Sequence, residues 1–207
     1  SAGQIGTAAA MFEDEGFWRD LVSFTWNLKT AEGQAAVREQ LAATVPNTKP
    51  SNWQIEGDAT EADGITDAWF TFETAVARGR GHLRLRGPGV GKAFTLLTTM
   101  TELKGFEEPK GPQRPKGVEH GVQLGRKNWA EQRQDEAATL GYSEQPYVVI
   151  VGGGQGGIAL GARLKRLGVP ALIIEKTAKP GDSWRKRYKS LCLHDPVWYD
   201  HLPYIPF

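Results

Sequence analysis

The chain has 207 residues, room for one or two domains at ~150 residues each, and 25 Lys and Arg against 24 Asp and Glu leave a net charge of +1. That balance argues against a polyanion-binding protein, so no nucleic-acid partner is expected, and 40% hydrophobic residues with 10% aromatics exclude the disordered class. No apolar run is long enough to span a membrane, no secretory leader is visible, and a lone cysteine, Cys192, excludes an internal disulfide and a cysteine-based zinc cluster. A cytoplasmic protein with no metal site is the expectation. The opening residue is Ser1 rather than Met, which reads as a processed or excised chain.

In chain order, a remnant of helical sequence at Thr7–Phe12 precedes Phe17-Trp18-Arg19-Asp20-Leu21, and Thr30-Ala31-Glu32-Gly33 reads as a turn. A helix is predicted over Gln34–Val45, with Ala35, Val37, Leu41 and Ala42 on one face. Strand-like segments follow at Asn52–Glu56, at Ala68–Val76 with alternating Phe70, Phe72 and Thr74, at His82–Arg86 and at Lys92–Leu103. Helices followed by long, antiparallel-looking strands make an α+β unit over residues 1–109. This order resembles the NTF2-like (SnoaL-like) cone fold. That family opens with a long helix, so the first helix is expected to be shortened or missing here. The resemblance also implies a homodimer formed through the sheet.

Residues 110–146 read as a joint. Lys110–His120 is a loop rich in Pro, Gly and charge. Asn128 is a candidate N-cap with Glu131 as its capping-box partner, opening a helix that runs to Leu140 and stops at Gly141.

From residue 147 the pattern changes. Tyr147–Val151 is a continuous apolar run suited to a parallel strand buried on both faces. It ends in Gly152-Gly153-Gly154-Gln155-Gly156-Gly157, a G-x-G-x-x-G match at Gly152, Gly154 and Gly157. Gly152 permits the sharp strand-to-helix turn, Gly154 lets backbone approach a pyrophosphate, and Gly157 lets the helix pack close to the strand. The phosphates would meet free N–H groups at the helix N-terminus. That helix, Ile158–Leu167, ends at Gly168, and the strand Pro170–Ile174 places Glu175 roughly twenty residues beyond Gly152, where a carboxylate accepts ribose hydroxyls. Strand, glycine loop, helix and acid in one βαβ unit point to dinucleotide binding.

The glycine spacing extends to Gly161 and Gly168 and is similar to the longer pattern of two-dinucleotide flavoproteins. The run from Glu175 through Gly181, Trp184 and Tyr188 resembles the E-x(5)-G-x-x-W-x(3)-Y segment of class B flavin-dependent monooxygenases. Leu191-Cys192-Leu193-His194 and Leu202–Phe207 resemble the L-x-L-H and L-P-x-x-P-F continuation of the plant indole-pyruvate monooxygenase branch. The resemblance covers about residues 145–207. It implies a Rossmann-type FAD-binding domain over 147–207, with FAD held by Gly152, Gly154, Gln155, Gly156, Gly157 and Glu175, with Lys176 beside it. Ser183 and Trp184 would contact the cofactor, and His194 would approach its flavin side. The resemblance further implies a parent enzyme that uses NADPH and FAD to oxygenate a small organic substrate with O2 through a flavin hydroperoxide. The family's second G-x-G-x-x-G, for NADPH, and its F-x-G-x3-H signature are absent from the 207 residues. The sequence therefore reads as an N-terminal part, with an incomplete FAD domain, expected to be inactive alone. No catalytic acid, base or nucleophile can be named. Another two-dinucleotide flavoprotein and a non-enzymatic NTF2-like dimerisation module stay open as alternatives.

Other conspicuous residues have plainer readings. Arg78–Arg86 alternates as a solvated sheet face, or one paired with Glu73 and other strand acids. Arg185–Lys189 reads as a solvated turn. His82 and His120 read as structural histidines without a carboxylate partner, Cys192 as a buried thiol, and Trp18, Trp26, Trp53 and Trp69 as core.

Overall fold

A computed structural model describes residues 2–87, 89, 91–114, 120–179, 181–192, 194–196 and 199–205. The chain divides into two units, Ser1–Glu107 and Glu108–Phe207.

The first unit is α+β. Helix α1 (Ala2–Ala10) leads into β1 (Phe12–Leu21) and β2 (Leu28–Glu32); then come α2 (Gly33–Thr48) and β3 (Ser51–Ala62), β4 (Ile65–Glu73), β5 (Ala77–Arg86) and β6 (Lys92–Leu103). One sheet orders the strands β2-β1-β6-β5-β4-β3. β1 and β6 run parallel, and the other neighbours are antiparallel.

Phe17–Leu21 and the expected turn at Thr30–Glu32 are therefore strand. The acidic, Gly-containing β1 has weak strand propensity, yet Gly16, Trp18 and Asp20 alternate into the interior. Gly16 falls in the register shift between β1 and β6, and a Cβ there would lie 2.8 Å from the Ala93 carbonyl oxygen. Trp18 is fully buried, which contributes roughly 2–3 kcal/mol, and its indole N–H donates to Thr98 Oγ1 at 2.9 Å.

The basic stretch of β5 resolves into two faces. Gly79 and Gly81 stand opposite Phe72 and Phe70 on β4, and the phenyl rings fill the space above them: a Cβ would lie 2.3 and 2.1 Å from the ring atoms. Arg80 between them, and Arg84 and Arg86 further along the strand, pair with acids, Arg80 with Glu56 at 2.5 Å, Arg84 with Asp67 at 2.8 Å and Arg86 with Glu13 at 2.5 Å. Glu73 pairs with Lys104 instead. His82 does have a carboxylate partner, with Nε2 at 3.1 Å from Asp67.

On α2 the buried residues are Val37 and Gln40, whereas Ala35 and Ala42 are exposed. The helix runs past Pro46 to Thr48 and closes on Lys49, whose N–H donates to the Val45 carbonyl. Of the four tryptophans expected in the core only Trp18 is there; Trp26, Trp53 and Trp69 are exposed. Trp53 instead lies against Phe72 and Phe70 from the edge strand, with centroids at 5.1 and 5.5 Å.

In the second unit α3 (Trp129–Thr139) carries the expected reciprocal cap. Asn128 Oδ1 accepts from the Glu131 N–H at 2.9 Å, and Glu131 Oε2 accepts from the Asn128 N–H at 2.7 Å. β7 (Val148–Val151), α4 (Gln155–Arg166) and β8 (Ala171–Ile174) form a parallel βαβ unit, with Val148 beside Ala171 and Val151 beside Ile174. A four-residue helix, α5 (Asp182–Arg185), follows. The expected burial of β7 on both faces is not met, because these two strands are the whole sheet: Val149 is exposed and Val151 is 87% exposed. Cys192 is exposed rather than buried. Leu193, Pro206 and Phe207 of the expected family continuation lie outside the described residues. No helix among the described residues is long and apolar enough to cross a membrane.

Candidate functional site

The site grows from the end of β7. Gly152 follows the strand with φ of 105°, a left-handed value that glycine adopts without strain. Its N–H donates to the Ile174 carbonyl at 2.7 Å, continuing the ladder to β8 one residue beyond the strands. Gly154 is the N-cap of α4 and supplies no side-chain cap. The N–H groups of Gln155, Gly156 and Gly157 open the helix, where no carbonyl of the helix can meet them.

Packing leaves little room at three of the glycines, least at Gly157, where the opposing atom is backbone. A Cβ on Gly157 would lie 1.9 Å from the Gly152 carbonyl oxygen and 3.3 Å from Ile150. One on Gly161 would lie 2.8 Å from Ile173 Cδ1. The helix therefore crosses the strands at glycine distance, bringing its N-terminus up to the loop. Gly153 is also crowded, with a Cβ position 3.1 Å from Glu175. Gly156 faces open space, and Gly154 meets only Ser183 Oγ, at 3.8 Å from the Cβ position.

Glu175 follows β8. Its carboxylate accepts from the Gly153 N–H at 2.6 Å, from the Thr177 N–H at 2.9 Å and from Thr177 Oγ1 at 2.8 Å. The two backbone N–H groups, Thr177 first and then Gly153, hold its carboxyl below the usual carboxylate range. A carboxylate offers about four acceptor positions, so three donors leave capacity for a ligand hydroxyl.

Beside the start of α4 lies a cavity of about 470 Å³, lined by Gln155, Ile158, Trp184, Leu191, Tyr199 and His201 among others. Far from the loop, the C-terminal turn of α4 is anchored by Glu108, whose side chain is 9% exposed between Arg163 at 2.8 Å and Arg166 at 3.2 Å. Burial opposes its ionisation, but the Tyr204 hydroxyl and the two guanidinium groups hold the carboxyl below its ordinary value.

Of the residues expected to bind cofactor, the structure brings together Gly152, Gly154, Gln155, Gly156, Gly157, Glu175, Ser183 and Trp184. Lys176 is exposed beside Glu175, and His194 is exposed and does not line the cavity. His201 and Tyr199 do, and sequence reasoning gave them no role; no spacing signal tied them to the glycine loop.

A glycine loop without side chains, an uncapped helix start and an acid after the second strand are the donor and acceptor set that an adenine dinucleotide would require. Gly152–Gly157 would hold the pyrophosphate and Glu175 the ribose of FAD.

No protein-family model matches the chain. Among solved structures it is similar to a ketosteroid isomerase-like protein from Erwinia carotovora atroseptica (12% identity, TM-score 0.39, 47% of this chain and 82% of that one). It is also similar to a putative isomerase of the SnoaL-like family from Agrobacterium tumefaciens (12% identity, TM-score 0.36, 49% of this chain and 85% of that one). Among curated proteins it is 41% identical over 56 residues to an uncharacterized CzcO-like oxidoreductase of Geobacillus kaustophilus, 27% of this chain and 16% of that protein. It is 43% identical over 63 residues to indole-3-pyruvate monooxygenase YUCCA1 of Oryza sativa subsp. japonica, 30% of this chain and 16% of that protein. The chain thus spans about a sixth of the length of these relatives, and over that stretch it is a partial homologue of indole-3-pyruvate monooxygenases and CzcO-like oxidoreductases.

Proposed function

We propose that the chain is part of an FAD- and NADPH-dependent monooxygenase acting on a small organic substrate, joining an NTF2-like unit to the start of a Rossmann-type FAD-binding domain. The supporting geometry is the approach of Gly157 to the Gly152 carbonyl, which sets an uncapped helix start against a loop whose Gly153 N–H meets Glu175. The partial homology to oxidoreductases supports the same reading.

In this reading the N–H groups of the first α4 turn bind the pyrophosphate, aided by the positive end of the helix. Glu175 stays ionised and accepts from the ribose. Ser183 stands over Gly154, and Trp184 gives the cavity an apolar wall. When bound, the flavin supplies the redox and oxygen chemistry, and the protein positions it and excludes water. The exposed apolar residues Val149, Val151, Ile173 and Ile174 belong to a type of sheet normally covered on both faces, which supports a larger sheet in the whole enzyme. The reading places the NADPH site outside these residues.

The six-stranded order of the first unit supports the NTF2-like assignment, and a homodimer through the outer sheet face goes with it. That face carries Trp69 between the Arg80 guanidinium, 4.0 Å from its centroid, and the His82 ring, 4.4 Å away. Sedimentation equilibrium at tens of micromolar tests this: a 22.7 kDa species would sink the dimer.

Titration of the chain with FAD and with ADP tests the cofactor assignment. Both are expected to bind through their shared ADP half, FAD weakly, with no NADPH oxidation by this chain alone. Failure of ADP and FAD to bind the folded chain at ~1 mM would overturn it.

A further inference from the structure

We propose a second binding site, in the first unit, for a hydroxylated sugar ring. It is the cleft of about 730 Å³ between the β1–β2 loop, the C-terminal half of α2 and the β4–β5 turn. From the loop it takes Thr25, Trp26, Asn27 and Lys29; α2 and the turn contribute Thr44, Asn47, Thr48 and Thr74.

The loop is built at a cost. Val22 and Trp26 have φ of 60° and 54°, a region that β-branched and bulky residues rarely enter, and such strain persists only where the surroundings enforce it. Here the enforcing group is Asp20, fully buried. Its carboxylate accepts from the Phe24 N–H at 3.0 Å, the Thr25 N–H at 2.8 Å, Thr25 Oγ1 at 2.7 Å, Thr98 Oγ1 at 2.7 Å and Ser23 Oγ. The result is an indole, 61% exposed, with no ring or cation partner among the described residues, at the edge of a polar cleft.

The α2 wall supplies the second observation. Positions 40, 44, 47 and 48 follow helical spacing and share one face. Thr44, Asn47 and Thr48 line the cleft, while Gln40, one turn earlier and 1% exposed, lies behind the lining with both amide atoms unpaired among the described residues. The Asn47 side chain also has no partner among the described residues.

The chemistry of the lining selects the ligand. The Thr44 and Thr48 hydroxyls donate to the Gln40 and Thr44 carbonyls and keep acceptor capacity toward the cleft, the Asn47 amide both donates and accepts, as sugar hydroxyls do, and the exposed indole offers a flat apolar face to ring C–H groups. Lys29 is the one charged lining residue among those described, so the site takes a neutral ring or one bearing a single carboxylate. With no carboxylate in the lining, it lacks the acid pair that glycoside hydrolysis requires; the site binds and does not cleave.

The test uses the full chain, titrated with methyl glucoside and with glucuronate and followed by indole N–H chemical shifts. Binding is expected near ~1 mM, with glucuronate tighter and its advantage lost in Lys29→Gln. Trp26→Gly removes the indole and accepts the positive φ, so the melting temperature should hold or rise while affinity falls at least about tenfold. Asn47→Ala, on the exposed helix surface, should weaken binding with the fold intact. Shifts absent for both sugars up to ~50 mM, or affinities unchanged in both Trp26→Gly and Asn47→Ala, would overturn the proposal.

Discussion

A Cβ on Gly157 would stand 1.9 Å from the carbonyl oxygen of Gly152. No side chain has a rotamer that escapes this contact, because the clash is at Cβ itself and the opposing atom is backbone. Helix α4 therefore meets the end of β7 only while residue 157 is glycine.

Gly157→Ala should push α4 away from the loop, costing about 1–3 kcal/mol as an overpacking change and lowering ADP affinity by at least about tenfold. Gly156→Ala is the matched control, since its Cβ would meet nothing within 4 Å. Its helix propensity gain of roughly 0.5–1 kcal/mol should leave stability unchanged or higher. Thermal melts and ADP calorimetry on both variants check the pair; equal loss in both would contradict the packing role of Gly157.

Glu175 is held below the ordinary carboxylate range by the Thr177 and Gly153 N–H groups. Its charge is thus retained from neutral pH down past its ordinary value of 4.5. ADP affinity should show no step from Glu175 between about pH 5 and 8. Glu175→Gln places an amide where three donors converge, and an amide has a single acceptor oxygen. A loss of at least about tenfold in ADP binding is expected, roughly 1.4 kcal/mol, measured by calorimetry at fixed pH.

The βαβ unit was legible because its signals are local: an apolar run, glycines at fixed offsets and an acid after the next strand. The Asn128–Glu131 cap was legible for the same reason. β1 was missed because Glu13, Asp14, Glu15 and Gly16 depress strand propensity, and its pairing with β2 and with β6, some eighty residues away, makes it a strand. The exposure of Trp26, Trp53 and Trp69 depends on which strand is an edge and which loop is strained, and no short window of sequence carries that. Gln40 was passed over among the helix positions for a related reason: polarity predicts a solvated residue, and tertiary packing overrides it. The acid partner of His82 lies on the neighbouring strand, at Asp67, so it became visible only with the register.

Asp20 offers a stability test. Asp20→Ala leaves buried donors without an acceptor, among them Thr98 Oγ1 and the Phe24 N–H, each costing ~1–3 kcal/mol when unpaired. The β1–β2 loop should lose its left-handed residues and the first unit should unfold several kcal/mol more easily. Asp20→Asn, which keeps the volume and one acceptor, should lose less. Denaturant unfolding followed by far-ultraviolet circular dichroism and total tryptophan fluorescence would rank them, and an unchanged midpoint for the first unit in Asp20→Ala would contradict the clamp.

The ion pair of Arg78 and Glu107, at 2.7 Å, sets a window in acid. The Arg78 guanidinium, with backbone N–H groups at Glu107 and Gly105, lowers the Glu107 carboxyl to about 2 from an ordinary 4.5. A folded-state value below the unfolded one means that the pair's contribution is fully present above pH 4.5. It declines as the pH falls from there toward 2, because the unfolded chain takes up the proton first. Both groups are near the surface, so the contribution should shrink with added salt. Melting temperatures of the native chain and of Glu107→Gln should differ most above pH 4.5 and converge toward pH 2. The carboxyl carbon of Glu107, followed by NMR, should titrate near the lower value, and a midpoint at 4.5 would show that the pair does not form in solution.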